Sequence, residues 1–245
     1  MKKHLNTLII ATVCGMVSIL GFVLRNKEVD LFSIIYFKSA NGCEGYFYEL
    51  PSLVEMLIPL LFFCVIYGIH VYKHFCSGSV YYFSRNSNRV LWFLKETVYL
   101  MIISVIYIFV MALSSIIIVL LFSKININSN DLIYLLKYII IQSFFISTSA
   151  LLINLISICS SSNIGFAIVV GIIMFFVVLY SMSTEVFNCK PELIIIINPI
   201  YHLILRSTFY YSIMYFSFIL ILEIIAGIII VKNHRFINHN LEIGA

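Results

Sequence analysis

Charged residues are scarce in this chain. They make up 11% of its 245 residues, where an ordinary soluble domain carries roughly 25%. With so little charge, the solvated surface of a globular enzyme has nothing to be built from. Proline occurs four times and tryptophan once. The motifs of soluble and intramembrane catalysis are missing as well. There is no H-E-x-x-H, no paired Glu-Glu, no Gly-x-Ser-x-Gly and no P-loop lysine motif, so neither zinc-protease chemistry nor ATP binding through a P-loop is expected of this chain. No C-x-x-C pair occurs among the six cysteines, which argues against a zinc ribbon or a thioredoxin-like site. No cofactor, metal or catalytic residue is expected.

What fills the chain instead is apolar. Hydrophobic residues reach 62%, and the mean hydropathy is +1.07. Six long apolar stretches cover about 5–24, 53–72, 97–122, 132–158, 164–182 and 211–231, and no soluble domain stands between them. Each is near the roughly 20 residues that a helix needs to cross a hydrocarbon layer about 30 Å thick. A membrane barrel would need segments of alternating polarity, and Ile102-Ile103-Ser104-Val105-Ile106 does not keep that alternation. The first stretch follows Lys2 and Lys3 but is too long for a signal-peptide core and leads into Arg25-Asn26-Lys27-Glu28, so a retained helix is expected. The fold class expected for residues 1–245 is an all-α integral membrane protein, one domain of six transmembrane helices.

An even number of spans puts both termini on one side. With the termini cytoplasmic, the inner face carries Lys2, Lys3, Lys73, Arg85, Arg89, Lys95, Lys232 and Arg235. The outer face carries Arg25, Lys27, Lys38, Lys124, Lys190 and Arg206, and Lys137 falls within the fourth span. The first outer loop dilutes its bases with Glu28, Asp30, Glu44 and Glu49, so the positive-inside rule favours cytoplasmic termini in a cell-membrane protein. The net charge of +4 is spread over short loops, which suits contact with anionic lipid and points away from nucleic acid. On the outer side, residues 192–206 carry a short apolar run broken by Pro199, suited to a re-entrant or interfacial segment.

Cys14 and Cys64 lie in spans and read as small apolar residues. Cys43 and Cys189 both fall in outer loops, where a disulfide would persist; two free thiols fit the same placement. His70 and His74 share a helix face at the inner end of the second span. With two ligands and no carboxylate close in sequence, they read as interfacial polar residues. Glu223 sits near the middle of the last span, where an ionised carboxylate costs at least about 2.5 kcal/mol. It fits either an ion- or proton-coupling carboxylate or a hydrogen-bonded tie between helices.

The most distinctive polar stretch, 81–95, interleaves aromatic residues and bases: Tyr81-Tyr82-Phe83-Ser84-Arg85, Arg89, Trp92-Phe93 and Lys95. By itself it suits an amphipathic inner loop helix at the head-group level. Together with six spans and the outer Asn198-Pro199-Ile200-Tyr201, it resembles permease subunits of type-2 ABC exporters. The likeness is to the short Gram-positive branch that includes bacteriocin- and lantibiotic-immunity permeases. The resemblance implies a translocation path driven by a separate ATP-binding cassette subunit, which would contact Arg85, Arg89, Trp92 and Lys95. It also implies a second permease subunit, identical or not, and export or clearance of peptide or other amphipathic antimicrobial substrates. An ion-coupled secondary transporter using Glu223 and a non-transport membrane immunity protein stay open beside it. No internal similarity relates the first three spans to the last three, as an inverted repeat would require.

Overall fold

In an apolar medium a continuous run satisfies its own backbone best as a helix, and these runs fold that way. The structure is a computed structural model, and it describes residues 2–25, 28–30, 46–78, 88–122, 124–126, 129–185, 198–203 and 209–233. In chain order the elements are α1 (Lys2–Arg25), β1 (Glu28–Asp30), α2 (Tyr46–Tyr67) and α3 (His70–Gly78). There follow α4 (Arg89–Phe122), β2 (Lys124–Asn126), α5 (Ser129–Cys159), α6 (Ser162–Glu185), α7 (Pro199–Leu203) and α8 (Phe209–Asn233). Five stretches are long and apolar enough to cross a membrane: Leu57–Cys76, Arg89–Phe122, Leu132–Cys159, Ser162–Tyr180 and Phe209–Asn233. α1 is 24 residues long, and its stretch Asn6–Ile19 is a shorter apolar helix.

The helices leave many large apolar side chains exposed while burying small polar ones beside an apolar core. Val98, Ile102, Val105, Phe109 and Ile117 of α4 are exposed, while Ser104, Ser114 and Ser115 of the same helix are buried. Water would favour the reverse arrangement. Hydrocarbon has no quarrel with exposed isoleucine, and small or hydroxylated residues let helices approach closely inside it. The arrangement is compatible with a multi-pass membrane location.

α5 is the hub of the bundle. Its apolar stretch is 78% buried, against 22% for those of α6 and α8, and it touches α2, α3, α4, α6, α7 and α8. Its interior face carries Gln142, Ser143, Ser147, Thr148, Asn154 and Ser157, all buried. The hydroxyls of Ser143, Ser147, Thr148 and Ser157 donate to carbonyls three or four residues back. They therefore cost the interior no unpaired polar groups.

α1 packs along α4. Ser115 Oγ, already 2.9 Å from the Met111 carbonyl, donates also to the Gly15 carbonyl of α1 at 2.8 Å. Gly15 makes this approach possible, because a Cβ there would run into Ser114 Oγ and the Met111 carbonyl oxygen. Just beyond these two helices lies the one departure from an all-helical fold among the described residues. β1 and β2 pair in parallel, with Glu28 opposite Lys124 and Asp30 opposite Asn126. Parallel pairing follows from two adjacent helices that release their chains in the same direction.

The stretch expected as one continuous span over 53–72 is broken. α2 ends at Tyr67 and α3 starts at His70, with Gly68 and Ile69 in a turn between them. A break strands backbone groups on both sides, and Asn154 of α5 supplies what is missing. Its Nδ2 donates to the Tyr67 carbonyl at 3.0 Å and its Oδ1 accepts the Tyr72 N–H at 3.0 Å. The same Nδ2 donates to its own helix at Ala150, 2.7 Å away. Gly68 lets α5 come this close, since a Cβ there would stand 3.1 Å from two carbons of Ile153. Tyr107 of α4 braces the other half of α2 by donating its hydroxyl to the Pro59 carbonyl at 2.7 Å.

Replacing Asn154 by Leu keeps the volume and removes these bonds. It should destabilise the bundle by about 1–3 kcal/mol for each backbone group left unpaired. Thermal unfolding of the purified protein in detergent would register this as a clear drop in the midpoint. An unchanged midpoint would mean that Asn154 does not hold the break.

Candidate functional site

The break between α2 and α3 sets up the most concentrated group of titratable side chains among the described residues. His70 and His74 are one helical turn apart on α3, so their rings lie on one face, with centroids 4.2 Å apart. The third member comes from α4. That helix starts behind Asn88, an N-cap whose Oδ1 accepts the Leu91 N–H at 3.4 Å and whose carbonyl accepts the Trp92 N–H at 3.2 Å. From Arg89 the helix runs 34 residues, about 50 Å, well beyond the roughly 30 Å of a hydrocarbon core. Its first two turns therefore extend past the apolar part, and they carry Arg89, Trp92, Lys95 and Glu96.

Glu96 lies between the two imidazoles. Its Oε2 is 3.5 Å from His70 Nε2, and its Oε1 is 3.5 Å from His74 Nδ1. Exposure differs sharply across the group: the side chains of His70 and Glu96 are 9% and 18% exposed, that of His74 is 52% exposed. Tyr67 and Tyr99 wall the buried side, with ring centroids 5.8 and 5.4 Å from that of His70. One carboxylate facing two ring nitrogens can hold a proton between helices, hold the helices by charge, or share a cation. The exposed His74 pair by itself contributes no more than about 1 kcal/mol.

The reading of His70 and His74 as interfacial polar residues thus gains a partner that the sequence did not offer. The absence of a carboxylate near them in sequence was the ground for it, and α4 brings one into place. Nothing in the residue pattern announces that pairing, because it depends on the turn at Gly68 and on how α3 is set against α4.

Of the residues expected to meet an ATP-binding partner, Arg85 lies outside the described residues. Arg89 is half-buried, Lys95 is exposed, and Trp92 stacks loosely on Phe75 of α3 at 5.9 Å between centroids. Phe93, next to it, is fully buried and lies over Gly227 of α8. Residues 89–95 do not form a separate amphipathic helix, as the sequence suggested; they are the opening turns of α4. The remainder of that expected helix, 81–87, lies outside the described residues. So do Cys43 and Cys189. Cys14 and Cys64 are buried, and Cys159 is exposed.

Glu223 stands apart from the His70–His74–Glu96 group. It is buried in α8, with no hydrogen-bond partner for Oε2; both amide atoms of Gln142 are likewise without one among the described residues. Lys137 places its ammonium 5.3 and 5.6 Å from the ring centres of Tyr134 and Phe209, a cation–π arrangement.

Of the expected re-entrant segment, residues 198–203 are described. Asn198 caps a five-residue helix that has proline at its first position. Its Oδ1 accepts the Ile200 N–H and its Nδ2 donates to the Phe176 carbonyl, both at 3.0 Å. His202, which the sequence did not single out, is buried there. It stacks on Tyr215 at 4.3 Å and lies 3.3 Å from Ser212 Oγ.

Replacing Glu96 by Ala should leave the long helices in place and loosen α3 from α4. Amide exchange across His70–Gly78 should then rise several-fold relative to the later turns of α4. Equal exchange in both proteins would show that Glu96 does not tie the two helices. In the comparisons with known proteins, no family model, no curated protein and no solved structure matches this chain.

Proposed function

We propose that this chain is the membrane-spanning permease subunit of an ABC exporter, a bundle of six spans with α1 as the first. In this reading both termini and the Arg89 end of α4 face the cytoplasm. A separate ATP-binding subunit engages Arg85, Arg89, Trp92 and Lys95. A second permease subunit completes the path, and peptides or other amphipathic antimicrobial compounds are the cargo. ATP is hydrolysed by the partner and not by this chain.

The observation that carries the reading is the projection of α4. Its first two turns carry two cations and the only tryptophan, and they are braced from behind by Phe75 and the His70–His74–Glu96 group. A rigid, base-bearing helix end is suited to transmit force from an acidic groove into the bundle. Arginine pairs bidentately with carboxylates, and tryptophan serves as an interface anchor.

A second reading rests on Glu223. A buried carboxyl with an unpaired oxygen in a membrane helix is a default candidate for moving protons or cations. In that case transport would follow an ion gradient and not ATP.

Two measurements test these statements. Charge reversal at Arg89 or truncation of Trp92 to Ala should leave the protein inserted but lower co-purification with the ATP-binding subunit and substrate-stimulated hydrolysis at least tenfold. If both variants transport normally while Glu223→Gln abolishes transport driven by a proton gradient without ATP, the carrier reading replaces the exporter. For orientation, Cys43 and Cys189 are first replaced by Ser. An impermeant thiol reagent should then reach the exposed Cys159 only after the cells are permeabilised, and labelling on intact cells would invert the topology.

A further inference from the structure

We propose that His70, His74 and Glu96 form a binding site for a divalent ion of the zinc class, which clamps α3 to the opening turns of α4. Each residue offers one ligand atom, and these atoms all lie within 4.8 Å of one another. The two nitrogen–oxygen separations to Glu96 are 3.5 Å. Ligands at about 2.0–2.2 Å from a tetrahedral zinc ion stand about 3.4 Å apart, so the carboxylate already sits at ligand spacing from each ring. The remaining closure falls to His74, whose side chain is 52% exposed and has room to turn.

The donor set selects the class of ion. Two imidazoles and one carboxylate are the ligands of zinc and neighbouring transition ions, whereas calcium and magnesium require oxygen. Two histidines at i and i+4 on one helix, with a carboxylate from a second, form a three-ligand site that leaves one position open. That position opens on the His74 side. The buried side is closed by Tyr67 and Tyr99, which touch the His70 ring and keep competing water from it.

The ion would do what the bare side chains do only weakly. α3 is held to α5 through the Tyr72 N–H on Asn154, and its contact with α4 otherwise includes the His–Glu pairs and the Phe75–Trp92 stack. A metal bond across the same gap makes the Arg89 end of α4 rigid with respect to the bundle. The proposal rests on this geometry alone and stands whether or not the chain is a permease.

The test uses the full-length protein in detergent, stripped with a chelator and titrated with zinc chloride by calorimetry, with cobalt absorption as a second readout. One equivalent should bind to the wild-type protein and raise its thermal midpoint. His74→Ala and Glu96→Gln should each weaken binding at least tenfold and remove the thermal shift. His74 is exposed enough for its truncation to leave the fold intact, so a folded His74→Ala protein keeps the comparison sound. A His234→Ala/His239→Ala variant should bind as the wild type does. No binding by the wild type, equal binding by His74→Ala, or binding lost only in the tail variant would each overturn the site.

Discussion

The arrangement of this bundle depends on one amide. Within an apolar interior a helix cannot be interrupted without stranding backbone donors and acceptors, each costly to leave unpaired. Asn154 meets the two groups at the break, the Tyr67 carbonyl and the Tyr72 N–H, from a helix that is itself buried on most sides. An apolar side chain could serve neither group, and the amide carries its donor and its acceptor on separate atoms. With the break secured, α3 takes its own direction, and His70 and His74 turn to Glu96.

Around that joint the bundle follows the logic of a solvent without hydrogen bonds. Small hydroxylated residues occupy helix contacts such as Gly15–Ser115, where a side-chain oxygen reaches a neighbouring carbonyl. Many large aliphatic side chains face out, and others fill the core. Most interior polar atoms are satisfied within their own helix or by the next. The Gln142 amide and Glu223 Oε2 are among the exceptions in the described residues. Unpaired polar atoms inside an apolar bundle are expensive to keep.

The two ends of the bundle differ in kind. At one end, the opening of α4 gathers bases, the single tryptophan and the His–Glu group around a short helix. At the other, α7 is capped by Asn198 and docked on α8 through His202 and Tyr215. The first end is charged and partly exposed, which suits a partner or an ion. The second is buried and stacked. The exporter proposal uses both, with force entering at α4 and the path closing near α7.

Composition alone was enough to establish that this chain is built from long apolar helices compatible with a membrane. The expected spans at 97–122, 132–158, 164–182 and 211–231 fall inside α4, α5, α6 and α8. That much is a local property: lipid demands uninterrupted apolar runs, and such runs are visible one residue at a time. What the tertiary structure decided is which remote groups meet. Asn154 reaches Tyr72 across 82 residues and Tyr67 across 87. Glu96, to which the sequence drew no attention, is the centre of a three-residue group. No periodicity records such meetings, because they depend on where a helix breaks and which neighbour lies beside the break.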